Sequence, residues 1–184
     1  MINLTEIKNK IATKNNLYCL IVILIIFFLD RYTKLLILDN FSENTYYYND
    51  YINLDLIWNI GIGFGFFSTD SSILYNFISL VIALVIIFLL YIFIISETLD
   101  KMIFTLILGG ALGNFYDRLI YKAVPDFIDL HYANFHWFTF NVADIFITVG
   151  IIISFNLACI SLKSLNFNLG IFVFKNLSLS SKSF

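Results

Sequence analysis

Four long stretches of the chain are almost uniformly apolar, and polar residues gather between them and at their ends. The stretches run from Leu17 to about Leu38, from Ile73 to Ile95, from about Lys101 to Ile120, and from Val142 to about Leu162. Each has the roughly 20 residues that a helix needs to cross the hydrocarbon of a bilayer. The second is the cleanest. The first is broken by Asp30, Arg31 and Lys34, the third turns polar after Gly113, and the fourth begins beside Asp144. Between the first two lies a segment, residues 40–70, rich in Tyr, Asn and Asp; within it Tyr51 to Trp58 partly alternates, which predicts a short strand at the membrane surface. Residues 121–141 form the other long connection. Pro125, the one proline, argues against a continuous helix there.

The pattern predicts an all-α polytopic membrane protein: four transmembrane helices with a small extracytoplasmic β-like segment between the first and second. Composition supports that class. Of 184 residues, 60% are hydrophobic and only 13% charged, against roughly 25% charged in a soluble domain, and the mean hydropathy is +0.86. The 21 Phe and 11 Tyr suit lipid-facing surfaces and interfacial belts. No basic cluster points to nucleic acid. The first apolar run continues into Asp30-Arg31 without a small-residue cleavage pattern, so no cleavable signal peptide is expected. Cys19 and Cys159 lie inside apolar runs and are read as inert packing residues.

Orientation follows the basic residues. Lys8, Lys10, Lys14, Lys101, Lys163, Lys175 and Lys182 would all lie on one side, and residues 40–70 contain no Lys or Arg. Both termini are therefore expected in the cytoplasm and both long connections outside. Residues 1–164 would form one membrane-embedded domain, and residues 165–184 a loosely ordered cytoplasmic tail.

This topology brings the intramembrane polar groups to one depth. Asp30, Arg31 and Lys34 fall at the outer end of the first helix, Asn114, Asp117 and Arg118 at the outer end of the third, and Asn141 and Asp144 at the outer start of the fourth. Asn59 and Asp126 sit in the outer connections. Each charge in hydrocarbon costs at least ~2.5–3.5 kcal/mol on insertion scales, so such groups persist when paired, wet or functional. Asp30 and Lys34, four apart, share a helix face and can neutralise each other. Asn114, Asp117 and Arg118 have the spacing of a network that ties the third helix to its neighbours. Gly109, Gly110 and Gly113 permit close helix packing. His131 and His136 lack ligand spacing on a common helix, so no metal site is expected.

Asp126 and Asp144 differ, because neither has an obvious cationic partner at helical spacing: Lys122 stands four before Asp126, but Pro125 argues against a helix between them. Two carboxylates held together away from water do not both ionise: one keeps a proton and serves as acid, the other as base on a water molecule. Asp129 and Asp117 are rival carboxylates for that role. A proton-conducting reading, with Asp30, Asp117 and Asp144 as relay sites, would spread polar groups over the whole membrane depth; the second helix and the inner halves of the others offer few.

Five motifs in order resemble those of bacterial lipoprotein signal peptidase, the type II signal peptidase. They are Asp30-Arg31-Tyr32-Thr33-Lys34, Asn59-Ile60-Gly61-Ile62-Gly63-Phe64-Gly65, the run Gly109 to Arg118, Val124-Pro125-Asp126-Phe127-Ile128-Asp129, and Phe140-Asn141-Val142-Ala143-Asp144. Gly63 stands where that family usually has Ala. The resemblance covers about Leu17 to Leu162. It implies an aspartic endopeptidase of the bacterial cytoplasmic membrane that cuts diacylglyceryl-modified prolipoproteins just before the lipidated cysteine, at the outer face. It implies no cofactor, contact with membrane lipids, and inhibition by globomycin-like cyclic peptides. Asp126 and Asp144 would be catalytic. Asn59, Gly61, Asn114, Arg118, Asn141 and Ala143 would support or contact substrate, and Asp30, Lys34 and Asp117 would be structural. The glycine-rich part of residues 40–70, flanked by Trp58, Phe64, Phe66 and Phe67, is expected to form a surface flap over the substrate.

Overall fold

The computed structural model describes residues 13–41, 45–61, 72–133 and 135–180. Helix α1 spans Lys14–Asn40; Thr13 caps its start by accepting the Asn16 N–H at 3.2 Å. Its buried stripe is Ile23, Ile26, Asp30, Lys34 and Ile37, the three-and-four spacing of one helix face. The opposite face, with Tyr18, Ile25 and Phe28, is apolar and exposed. Charge inside and hydrocarbon outside is the inverse of a water-soluble helix and fits a lipid surround.

Helices α2 (Ser72–Ile95) and α3 (Thr98–Tyr121) are joined by Ser96 and Glu97. Ile23, Ile86, Phe93 and Leu108 form a core among α1, α2 and α3, with Cys19 packed against it. Both cysteines are free. Lys122 takes a left-handed conformation, φ 56°, and ends α3. Among the described residues two segments are long and apolar enough to cross a membrane by length and composition, Tyr75–Ile95 and Val142–Leu162. Helices α1 and α3 are as long but carry the charges described above.

The sheet is larger than the sequence reading expects. That reading places one β-like segment, between the first two helices. Instead both long connections contribute to a four-stranded antiparallel sheet of order β1-β2-β3-β4: Tyr46–Tyr47, Ile52–Asn59, Val124–Tyr132 and Phe135–Phe140. The register of β2 on β3 sets Ile57 opposite Asp126 and Asn59 opposite Val124. Pairing so distant in sequence leaves no local signature, and β3 is buried along most of its length, so alternation is weak there.

The last helix, α4 (Val142–Ser180), runs past Leu162, where the apolar stretch ends, into the part for which the sequence predicts a loosely ordered tail. Hydropathy marks where a helix leaves hydrocarbon, not where its hydrogen bonding stops. Contacts group the chain into two compact units, Met1–Gly150 and Ile151–Phe184. All residues of the site described next belong to the first.

Candidate active site

Between the C-terminal halves of α1 and α3 lies a dry charged cluster. The Lys34 Nζ donates to Asp30 Oδ2 at 2.7 Å, to Asp117 Oδ2 at 2.7 Å and to Asn114 Oδ1 at 2.9 Å. An ammonium has three N–H donors, and all three are used. Arg31 forms an ion pair with the other Asp117 oxygen and lies over the Tyr116 ring, 5.0 Å from its centroid. The side chains of Lys34, Asp30 and Asp117 are wholly buried. With two cations and two anions, the cluster is neutral. Gly113 makes room for it, since a Cβ there would stand 2.5 Å from Asp30 Oδ2.

Beside it, the N-terminus of α4 is closed by a reciprocal cap. Asn141 Oδ1 accepts the Asp144 N–H at 3.1 Å, and Asp144 Oδ2 accepts the Asn141 N–H at 3.2 Å. This is a capping box built from Asn-x-x-Asp. A carboxylate at that position also faces the positive end of the helix dipole. The preceding residue is held as well: the Ala143 N–H donates to Asp30 Oδ1 at 2.9 Å. Ala143 is fully buried, and its carbonyl occupies the space a Gly110 side chain would need.

Asp126 and Asp144 meet around Asn141. The Asn141 Nδ2 donates to Asp126 Oδ1 at 2.6 Å, and the Asn59 Nδ2 donates to Asp126 Oδ2 at 2.8 Å. The Asn114 Nδ2 donates to Asp144 Oδ1 at 2.7 Å. All three asparagines obey one rule. Each amide oxygen is claimed by a group that can only donate: the Gly61 N–H for Asn59 (2.9 Å), the Lys34 ammonium for Asn114, and the Asp144 N–H for Asn141. The amide orientations are thereby determined by the network, and every NH2 is turned toward a carboxyl group.

Among the described residues neither Asp126 nor Asp144 forms an ion pair. Burial pushes the Asp126 carboxyl up to about 7; the nearby Asp144 charge adds to the rise, while the Asn59 and Asn141 amides and the Lys34 charge oppose it. A carboxyl group in that range can hold a proton near neutrality and release it there. Asp144 is half-buried, so one side of the pair remains open to a reactant.

The other sequence-predicted residues fall around this centre. Arg118 donates to the Gly61 carbonyl at 2.6 Å and to the Asn114 carbonyl at 3.4 Å, so it braces the turn that orients Asn59. Asp117, a rival carboxylate in the sequence reading, is engaged by Lys34 and Arg31. Asp129, the other rival, accepts from or donates to His136 Nδ1 at 2.6 Å, away from the two asparagine amides that hold Asp126. His131 and His136 stack across the β3–β4 hairpin. Among the described residues no group of three or more His, Cys, Asp or Glu is arranged to hold a metal ion. Gly63, Gly65 and the flanking Phe64, Phe66 and Phe67, and hence the flap reading, lie outside the described residues. The sequence reading missed Tyr75, whose hydroxyl donates to the Arg118 carbonyl at 2.9 Å and ties α2 to the end of α3. A lone tyrosine in an apolar helix carries no local sign of that partner. The capping box was visible as Asn141-x-x-Asp144 and was not read as one.

The chain has clear relatives. A family model described as "Signal peptidase (SPase) II" matches residues 22–160. A lipoprotein signal peptidase of Pelagibacter ubique (strain HTCC1062) is 49% identical over 163 residues, covering 87% of this chain and 95% of the relative. A lipoprotein signal peptidase of Francisella tularensis subsp. novicida (strain U112) is 42% identical over 147 residues, covering 74% and 87%. Among solved structures, a bacterial membrane enzyme determined by the in meso method at 2.3 Å superimposes with a TM-score of 0.67 at 25% identity, over 77% of this chain and 87% of that one.

Proposed function

The chain belongs to the signal peptidase II family, and on that premise we propose that it is an aspartic endopeptidase with Asp126 and Asp144 as its catalytic pair. The enzyme is a peptidase of the bacterial inner membrane. Its substrates are prolipoproteins bearing a diacylglyceryl group, and the bond cut is the one before the lipidated cysteine. The observation that carries this reading is the contrast among the aspartates: among the described residues these two alone share one asparagine, receive side-chain amide N–H groups and form no ion pair.

The pair holds a single proton. The ionised member takes a proton from a water molecule, whose oxygen attacks the scissile carbonyl carbon. The protonated member gives its proton to the carbonyl oxygen as the tetrahedral intermediate forms. Collapse then breaks the C–N bond, and the amine leaves with a proton returned through the pair. Asn59, Asn114 and Asn141 hold the carboxyl oxygens in place. Arg118 and Gly61 act behind Asn59, Gly110 leaves room for the Ala143 carbonyl so that α4 approaches α3 closely, and the Ala143 N–H anchors the start of α4 on Asp30.

All four helices span the membrane in this reading, with both termini cytoplasmic and the catalytic pair near the outer face. Residues 1–164 act as the peptidase domain. A lipidated substrate is itself held in the outer leaflet, so its scissile bond lies near headgroup level, where a half-buried Asp144 can reach it. Cyclic peptides of the globomycin type would occupy the same place. The test is cleavage of a diacylglyceryl-modified prolipoprotein by the purified protein in detergent or nanodiscs. The expected product begins at the lipidated cysteine by mass spectrometry, and turnover persists in EDTA. A product cut elsewhere, or the unlipidated precursor cut equally well, counts against the reading.

A further inference from the structure

We infer that Lys34 is a positioning residue of the catalytic pair: it acts through Asn114, turning that amide so that its NH2 faces Asp144. The inference rests on the proposed catalytic role of Asp126 and Asp144. It goes beyond the structural role expected for Lys34 from sequence.

The geometry leaves Asn114 no choice. Its side chain lies between Lys34 Nζ, 2.9 Å from Oδ1, and Asp144 Oδ1, 2.7 Å from Nδ2. A protonated amine has no acceptor, so the amide oxygen must face Lys34. Were the amide reversed, its NH2 would meet the ammonium and its oxygen would meet the carboxylate, and both contacts would repel. Lys34 is itself held rigid by Asp30 and Asp117 on its two remaining N–H bonds. The same Asp30 receives the Ala143 N–H through its other oxygen. The cluster therefore reaches Asp144 by two routes, through the side chain of Asn114 and through the backbone at Ala143. Asn59 and Asn141 need no such device, because backbone N–H groups already occupy their oxygens. At Asn114 a side chain does the work that the backbone does for the other two.

A charge-balancing role alone predicts something different, and two double variants separate the roles. Lys34→Met with Asp117→Asn removes one cation and one anion and also removes the donor facing Asn114. Arg31→Met with Asp117→Asn removes the same two charges and leaves that donor in place. Both are purified, checked for insertion and folding, and assayed on diacylglyceryl prolipoprotein. The first is expected to lose ~10–100-fold in kcat, the scale of a misplaced reacting group, with KM little changed. The second is expected to stay within a few-fold of wild type. Adding Asn114→Ala to the first should cause little further loss, as for residues acting in series. The alkaline limb of the first double's pH–rate profile should move to higher pH, because Lys34, whose charge acts on Asp126 where that of Asp117 does not, is gone. Asn114→Asp is the measurement that leaves Lys34 untouched. It sets a carboxyl oxygen against Asp144 and should lose at least as much as Asn114→Ala. Equal activity of the two doubles, or wild-type turnover in Asn114→Asp, overturns the inference. The parent reading fails separately, by turnover surviving in Asp126→Asn or Asp144→Asn, and the inference falls with it.

Discussion

Two polar clusters lie side by side here, and each contains two aspartates. In the first, Asp30 and Asp117 share Lys34 and Arg31, the charges balance, and the side chains are sealed from solvent. In the second, Asp126 and Asp144 receive asparagine amides and no cation. An ammonium or guanidinium beside a carboxylate stabilises its ionised form and takes it out of proton transfer at neutral pH. An amide orients a carboxyl group and leaves its proton negotiable. The same residue type thus serves as mortar in one cluster and as reagent in the other, and the partners decide which.

The contrast can be broken by mutation. Asp126→Asn and Asp144→Asn keep the shape and the N–H acceptors' geometry largely intact but remove the proton chemistry. Each should lower kcat by about 10²–10⁴-fold or more, with insertion and thermal unfolding near wild type. Asp144→Asn that retains turnover would remove Asp144 from the pair. Asp117→Ala should do the reverse. It strands Arg31 in a dry site and leaves Lys34 with Asp30 as its one carboxylate, which costs about 3–5 kcal/mol, read as a lower unfolding midpoint in detergent, while the protein that does fold keeps its specific activity to within about tenfold. A variant that unfolds at the wild-type midpoint would show that the cluster is not needed for stability.

The pH dependence sharpens the comparison further. Because Asp126 is pushed up to about 7 from 3.8, its proton is present below that range and lost above it. Turnover should therefore fall as pH rises through about 7. The same shift makes this group's contribution to folding largest below about pH 4 and absent above about 7. A rate that stays flat from pH 6 to 9 would count against a proton held at Asp126. The smallest effects should come from the hairpin. His136 is 60% exposed where it meets Asp129, so His136→Ala should cost no more than about 1 kcal/mol. Asp129→Asn should leave turnover within a few-fold, and a loss comparable to Asp126→Asn would make Asp129 part of the chemistry.

Much of this is legible in the sequence wherever the signal is local. The Asp30–Lys34 pair sits four apart and forms as spaced. Gly109, Gly110 and Gly113 read as close-packing positions, and they face Ile26, Ala143 and Asp30. Asp126 and Asp144 stand out because neither has an obvious cationic partner on a shared helix, Pro125 standing between Lys122 and Asp126. What stayed hidden depends on partners far along the chain. Asp117 meets a lysine 83 positions away, and Asn59 meets Asp126 across 67. The pairing of β2 with β3 belongs to the same kind, since a strand carries no mark of its neighbour. Helix α4 outran its apolar stretch because Asn, Ser and Lys can extend a helix beyond the hydrocarbon that hydropathy reports.

The distance between Arg31 and Asp117 also has a consequence for biosynthesis. Synthesis proceeds N-terminus first, at about 5–20 residues per second. Lys34 emerges with Asp30 already beside it, so that pair is neutral from the start. Arg31 must wait for Asp117, which follows roughly 4–17 s later at those speeds. During that interval the first helix carries one unmatched guanidinium in its C-terminal half, at an insertion cost of ~2.5–3.5 kcal/mol unless it reaches headgroups or water. A nascent chain halted before Asp117 would be held in that state. Such chains should slip from the bilayer or meet membrane proteases sooner than chains halted a few residues beyond it.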